Sequence, residues 1–511
     1  MGRIQTELGF QGAQLVRKLL VEPRRPVRVS SSPRAHWYAV AAVSLGAVMG
    51  QLDASIVNLA YEPIARSFHA SLAAASWVGL AYLLAVVALV APIGRVSDLL
   101  GRKLVYVYGF GVFALGSGLS AIAPDLGFLV AFRILQGVGA AMMQASSVAI
   151  ITLVMPRNRL GRGIGIQGAA QALGLALGPT LGGVLVATGG WHLIFLVNVP
   201  VGIAGVVLGR RFVPRSSHLS PGHGFDWPGA ALLPVAAGSL LAAISLGGGL
   251  GWLSPAEMGL ALVAGASTVG LVIRERHAES PVLDLSLFAK RAYSVGISTG
   301  LLSYVVAFGT LFAVPLYLVG GLHQGAIAAG VQLTIMPIAL GAAAPVAGRL
   351  VDRFGSRQLT TGGMALAASG LGLLAAAPAT AGLRLLALAL VGAGIGMFTP
   401  ANNTAVMGTV PRASTGAAGG VLNMTRGFGT ALGLALTTVL VETFAGARLH
   451  AGGYGGSIAA AFRVTTLCLA GVAIVACLLS ALRGGDAEAE WSARPRACPT
   501  QAQTQAAAAS R

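Results

Sequence analysis

Fourteen apolar runs, each long enough to cross a bilayer as a helix, divide this sequence. They cover 36–61, 74–94, 104–123, 127–154, 163–187, 192–212, 227–247, 256–274, 293–319, 325–348, 358–378, 382–408, 414–443 and 461–482. In hydrocarbon every backbone polar group must find its partner inside the protein, which only helices and closed barrels achieve. With 55% hydrophobic and 10% charged residues, against about 25% charged in soluble domains, an aqueous fold is excluded. The 72 glycines suit helices that pack closely in a membrane. The expected fold class is an all-α membrane protein with fourteen transmembrane helices.

The formal charge of +18 would suggest nucleic-acid binding in a soluble chain, but its placement gives another reading. With residue 1 on the cytoplasmic side, 28 of the 34 basic residues fall in cytoplasmic segments. Outside lie Arg66, Arg384, Arg448 and Arg463, and within spans Arg133 and Arg426. This is the positive-inside bias that sets orientation, so both termini are expected in the cytoplasm and the chain in the cell membrane. Residues 1–35 form a basic arm without the apolar stretch of a cleavable signal; the arm and the 483–511 tail are expected to be disordered, and 446–456 to be a flexible external loop. Cys468 and Cys477 share one span and Cys498 lies in the tail, which is no disulfide framework.

The chain contains a repeat. Gly94-Arg95-Val96-Ser97-Asp98-Leu99-Leu100-Gly101-Arg102-Lys103 follows the second span, and Gly348-Arg349-Leu350-Val351-Asp352-Arg353-Phe354-Gly355 follows the tenth. Both read Gly-Arg-x-x-Asp-x-x-Gly. Gly137-Val138-Gly139 in the fourth span is echoed by Gly392-Ala393-Gly394 in the twelfth. Two six-helix halves follow, 36–212 and 293–482, with an inserted helix pair and its linkers at 213–292. Such halves enclosing a central site are a recurring transporter plan.

These motifs, with Leu52-Asp53-Ala54-Ser55-Ile56-Val57-Asn58, Phe132-Arg133-Ile134-Leu135-Gln136-Gly137, Gly174-Leu175-Ala176-Leu177-Gly178-Pro179-Thr180-Leu181-Gly182-Gly183, Trp191 to Pro200, and Asn423-Met424-Thr425-Arg426, resemble the major facilitator superfamily. The likeness is to its fourteen-span drug:proton antiporters of the EmrB/QacA type, over roughly residues 36 to 482. Glu62 where that pattern has proline, His192 for arginine and Leu99 for a basic residue are departures. The resemblance implies proton antiport, with Asp53 as proton acceptor and Arg133 as its partner, and a signature helix for antiport at Gly174, Gly178, Pro179, Gly182 and Gly183.

The residues themselves point the same way. An ionisable group inside a bilayer is costly and marks a site. Asp53 lies about eight residues from the outer end of its span and Arg133 about six, so their depths match at ~9–12 Å. A carboxylate beside an arginine stays ionised until the pair separates, and burial then favours the protonated form; a purely structural ion pair is the competing reading. Arg426 needs a partner, for which Asn402, Asn403, Asn423 or a substrate anion are candidates. Asn58, Gln136, Gln144, Gln167 and Gln171 are further candidates to line the cavity, although amides also tie membrane helices together. Gly174, Gly178 and Gly182 make one smooth face, and Pro179 removes a backbone bond beside it, so this helix is expected to be bent where the halves meet. Asp98 can pair with Arg102 or sit at a helix N-terminus, and Asp352 likewise; with Gly94, Gly101, Arg102 and Lys103 they read as a conformational latch.

The sequence holds no metal-spaced ligand set and no phosphate-cradling G-x-x-x-x-G-K-S/T. The expected activity is export of amphipathic or cationic small molecules, drugs among them, by proton antiport with alternating access. Alternatives are a proton-coupled metabolite transporter and a non-transporting sensor or scaffold. The expected partners are the substrate, protons and lipid, without nucleic acid or any cofactor beyond the proton. The chain is expected to act as a monomer, with or without a periplasmic adaptor.

Overall fold

The computed structural model describes residues 22, 24–57, 60–216, 226–250, 254–278, 281–378, 380–411, 414–449 and 454–483. Asn58, the 484–511 tail and most of the 1–35 arm lie outside the described residues. Among the described residues the secondary structure is helical, without strands. The long helices are α1 Ala35–Ile56, α2 Leu72–Leu100, α3 Arg102–Ala121, α4 Leu126–Val154, α5 Leu160–Gly189, α6 Asn198–Phe212 and α7 Trp227–Leu250. They continue with α8 Pro255–His277, α9 Arg291–Leu316, α10 Ala326–Phe354, α11 Ser356–Ala376, α12 Ala381–Gly408, α13 Thr415–Leu449 and α14 Tyr454–Ala481. Thirteen are long and apolar enough to span a membrane, and α5 makes fourteen if its two parts, bent by 42° between Gly178 and Thr180, count as one span.

Local chemistry sets the helix limits. Ser71 and Asp125 cap α2 and α4 by accepting from the backbone N–H of Ala74 and Phe128, and Ser254 with Pro255 starts α8 in the same way. The first span is shorter than the apolar run suggested: α1 stops at Ile56, and a separate helix, Tyr61–Ser67, follows. Pro63 cannot donate to the carbonyl four residues earlier, so a helix through it would lose a bond, whereas in the first turn of a new helix it is tolerated. The arm also departs from expectation. Glu22 is buried and accepts from Leu104 N at 3.1 Å and Ser216 Oγ at 2.6 Å, tying the arm to the start of α3.

The two sets of six helices pair alike. In the first, α1 packs on α5, α2 on α4, and α3 on α4 and α6; in the second, α9 packs on α13, α10 on α12, and α11 on α12 and α14. Between the sets, α2 meets α13 and α10 meets α5, as a pseudo-two-fold axis requires. Each set has its own apolar core, around Tyr106, Phe110 and Phe113 in the first and Leu371, Leu388 and Phe398 in the second. Helix α7 rests on α2 and α13, and α8 packs on α7. Leu262, Val269 and Ile273 of α8 are exposed, an apolar face that suits lipid.

Candidate functional site

Five helices of the first half converge on Asp53. Arg133 Nη1 of α4 donates to Asp53 Oδ2 at 2.7 Å. Gln136 Nε2, one turn on, and Asn198 Nδ2 of α6 donate to Oδ1 at 2.9 and 2.8 Å. Ser117 Oγ of α3 accepts from both amides, and Arg133 Nε donates to Val78 O of α2 at 3.0 Å. The guanidinium lies over the Tyr82 ring at 4.3 Å, a cation–π contact. Asp53, Arg133, Gln136 and Asn198 are all at most 1% exposed. Asp53 thus accepts from three donors, and a proton arriving on it would remove the charge that strengthens those bonds. Helix α1 ends three residues after Asp53, not eight, although the expected pairing with Arg133 is present.

Two carboxylates bridge the halves at one end of the bundle. Asp98, at the end of α2, accepts from Gly416 N and Ala417 N at the start of α13, at 2.8 and 2.9 Å. Its duplicate Asp352, at the end of α10, accepts from Gly161 N and Arg162 N at the start of α5, at 2.8 and 3.1 Å. Each is an acidic cap on a helix of the opposite half, where the helix dipole favours it. Asp98 also pairs with Arg102 at 2.5 Å, so both arrangements read from the sequence occur together. Lys103 Nζ donates to Arg210 O within its own half. The glycines of the repeat have distinct uses. A Cβ on Gly94 would collide with Gly416 O and one on Gly348 with Gly161 O, so they let the halves touch. Gly101 and Gly355, at φ 119° and 82°, make the turns into α3 and α11 that other residues rarely allow.

Helix α5 corrects an expectation. Gly174 and Gly178 pack against Val48 and Ser55 of α1, in their own half. The contact with α10 across the halves uses Gly161 and Gly165 instead. Gly182 is buried and Gly183 exposed, and Pro179 sits at the bend.

Between the halves lies a cavity of about 60 Å³ lined by Gln51, Gln171, Tyr304, Phe308, Met336 and Arg426, among others. Two smaller cavities adjoin it through Gln171 and Arg426, one reaching Gln144, the other Gln167, Asn403 and Asn423. Arg426 Nη2 donates to Gln144 Oε1, and Asn423 Nδ2 donates to Gln144 O at 3.0 Å. Gln167 is mainly a tie between helices, donating to Ser147 Oγ at 2.9 Å. Two candidates are placed elsewhere. Gln136 belongs to the Asp53 cluster, and Asn402 donates to Gly296 O and accepts from Arg483 Nη2 at 2.7 Å. Burial pushes the Arg483 guanidinium down to about 10. Asn198, Ser117, Gln51 and Tyr304 were not singled out from the sequence. Asn198 stood within the Trp191 to Pro200 motif and could have been found there. Among the described residues no group of three His, Cys, Asp or Glu could hold a metal ion.

Comparison with known proteins agrees with this architecture. The family model for the Major Facilitator Superfamily matches residues 43–274 and 296–501. The chain is 32% identical to the riboflavin transporter RibZ of Clostridioides difficile (strain 630), covering 78% of this chain and 87% of that protein. It is 30% identical to the multidrug resistance protein Stp of Mycobacterium tuberculosis (strain CDC 1551 / Oshkosh), covering 82% and 78%. The fold matches that of the human organic anion transporter MFSD10 (TETRAN) with a TM-score of 0.64 at 15% identity, over 88% of this chain and 100% of that one. The chain belongs to the major facilitator superfamily and is a multi-pass membrane transporter, not an enzyme.

Proposed function

We propose that this transporter exports amphipathic small molecules across the cytoplasmic membrane in exchange for protons, with the Asp98 end of the bundle facing the cytoplasm. The carrying observation is Asp53, a fully buried carboxylate whose two oxygens are held by donors from α4 and α6. A proton on Asp53 removes its charge attraction for Arg133 and weakens the bonds from its three donors, so protonation changes how α1, α4 and α6 are tied. Alternating access then follows if the Asp98 and Asp352 contacts open while the halves rock about the cavity. The proton is the coupling ion, and no other cofactor enters this reading. Similarity to Stp supports drug export. Proton-coupled movement of a metabolite is the second reading, favoured by similarity to RibZ.

The test is a substrate panel in inverted vesicles with an imposed pH gradient. Asp53→Asn keeps size and removes the titrating group, so gradient-driven accumulation is lost while substrate binding survives. Accumulation by Asp53→Asn under a pH difference alone would place coupling elsewhere.

A further inference from the structure

Three adjoining cavities between the halves touch the same cation. Arg426 lines the central cavity and both of its neighbours, and no aspartate or glutamate lines any of the three. Arg133, the other arginine counted within a span, has Asp53 as its counter-ion. Arg426 makes no ion pair among the described residues and has the neutral carbonyl of Gln144 as a hydrogen-bond partner. A charge in a low-dielectric interior is costly when it is not neutralised, and here a cavity lies open at its side.

The rest of the lining defines what could neutralise it. Tyr304, Phe308 and Leu311 of α9, with Met336 and Pro337 of α10, give one apolar wall. Gln51 and Gln171 supply amides beside the guanidinium. An apolar wall with a few convergent polar groups is the lining of a small-molecule site. We infer that the cavity selects amphiphiles bearing an anionic group, such as a carboxylate, which docks on Arg426 while the apolar body lies against α9 and α10. The inference deepens the proposed export function and rests on it for the direction of transport, though not for binding. It also removes cations from the expected substrates, because a cationic group would face Arg426 with no carboxylate to receive it.

Three probes share one ring system: 2-naphthylacetate, 2-naphthylacetamide and 2-(2-naphthyl)ethylammonium. Their binding to the full chain in lipid nanodiscs is measured by calorimetry. The carboxylate should bind at least about tenfold more tightly than the ammonium, the scale of a charge-assisted contact. Arg426→Gln should bring the two within about threefold, a loss of that same contact, while Arg426→Lys keeps the order. Asp53→Asn should keep the carboxylate preference, since Asp53 does not line the cavity. Equal or tighter binding of the ammonium to the unmodified chain, no saturable binding of the carboxylate, or a preference that survives Arg426→Gln would overturn the inference. The unmodified chain alone decides the first two, whatever the variants' folding. Continued gradient-driven transport by Asp53→Asn together with an intact carboxylate preference would remove Asp53 from the coupling mechanism and leave the anion site standing.

Discussion

If Asp98 and Asp352 hold the halves together at one end, weakening them must redistribute the chain between closed and open arrangements there. Only bonds that cross between halves count: the Asp98–Arg102 pair lies within one half and does not bridge them. Each aspartate makes two crossing bonds to backbone N–H groups. An asparagine keeps one acceptor oxygen and loses the charge. For Asp98, fully buried, the loss is about 2 kcal/mol. For Asp352, only half-buried, solvent screening reduces it to about 1 kcal/mol. The sites are independent, so the double variant should shift the equilibrium by about 3 kcal/mol, roughly a hundredfold. Spin labels at Asn158→Cys and Gln358→Cys, exposed positions in opposite halves, would report the separation by pulsed electron resonance after Cys468, Cys477 and Cys498 are replaced. The short distance should dominate in the parent and the long one in the double variant, with Asp98→Asn the larger single step. An unchanged distribution, or one moved equally by Asp125→Asn at the far end of α4, would refute the reasoning.

Gly174→Ala and Gly178→Ala should each lower the thermal midpoint, costing about 1–3 kcal/mol, because their new methyls meet α1. Gly265→Ala and Gly270→Ala in α8 meet nothing and should hold or raise it by up to about 1 kcal/mol of helix propensity; a common effect at all four sites would contradict the packing described. Asn198→Ala removes one of the two donors to Asp53 Oδ1, so unfolding in detergent should show a loss of about 1–2 kcal/mol, and an unchanged midpoint would mean the amide is not tied to the carboxylate.

Much of this was legible because a membrane restricts what a sequence can do. A charge inside an apolar run stands out, so Asp53, Arg133 and Arg426 could be read directly, and the repeated Gly-Arg-x-x-Asp-x-x-Gly showed the two-fold plan. The amides were harder. Asn402 and Asn403 are neighbours, but a helix turns about 100° per residue, and one faces Arg483 while the other faces the cavity. Gln136 and Gln171 are alike in sequence; only the position of their helices relative to Asp53 separates them. Arg384, counted on the outer side, is 1% exposed and donates to Gln332 Oε1 and Pro378 O, a burial that the sequence does not show. Backbone carbonyls and amides can satisfy a guanidinium near a helix end, and no pattern of apolar residues records where they are. The glycine face of α5 was visible, but its partner was not, since α1 and α10 both offer close approach.

The remaining step is how a proton at Asp53 could move contacts at the other end of the molecule. Asp53 sits on α1, against which α5 packs through Gly174 and Gly178, and the start of α5 is held by Asp352. Its partner Arg133 donates to Val78 O on α2, and the end of α2 carries Asp98. The two helices that flank the proton site are therefore the two whose ends bridge the halves. Asp53→Asn mimics the protonated side chain by removing its charge, so the cluster loses its ion pair while both bridging carboxylates remain intact. If α2 and α5 transmit the change, the label distances at positions 158 and 358 should shift in Asp53→Asn although no residue near the labels has changed. The direct contribution of Asp53 to those contacts is zero, so any redistribution measures transmission through these helices. Adding Asp98→Asn and Asp352→Asn should then move the distribution further by less than the hundredfold expected when Asp53 is charged. Full additivity would show that the proton site and the bridging contacts act independently, and the coupling path along α2 and α5 would be wrong.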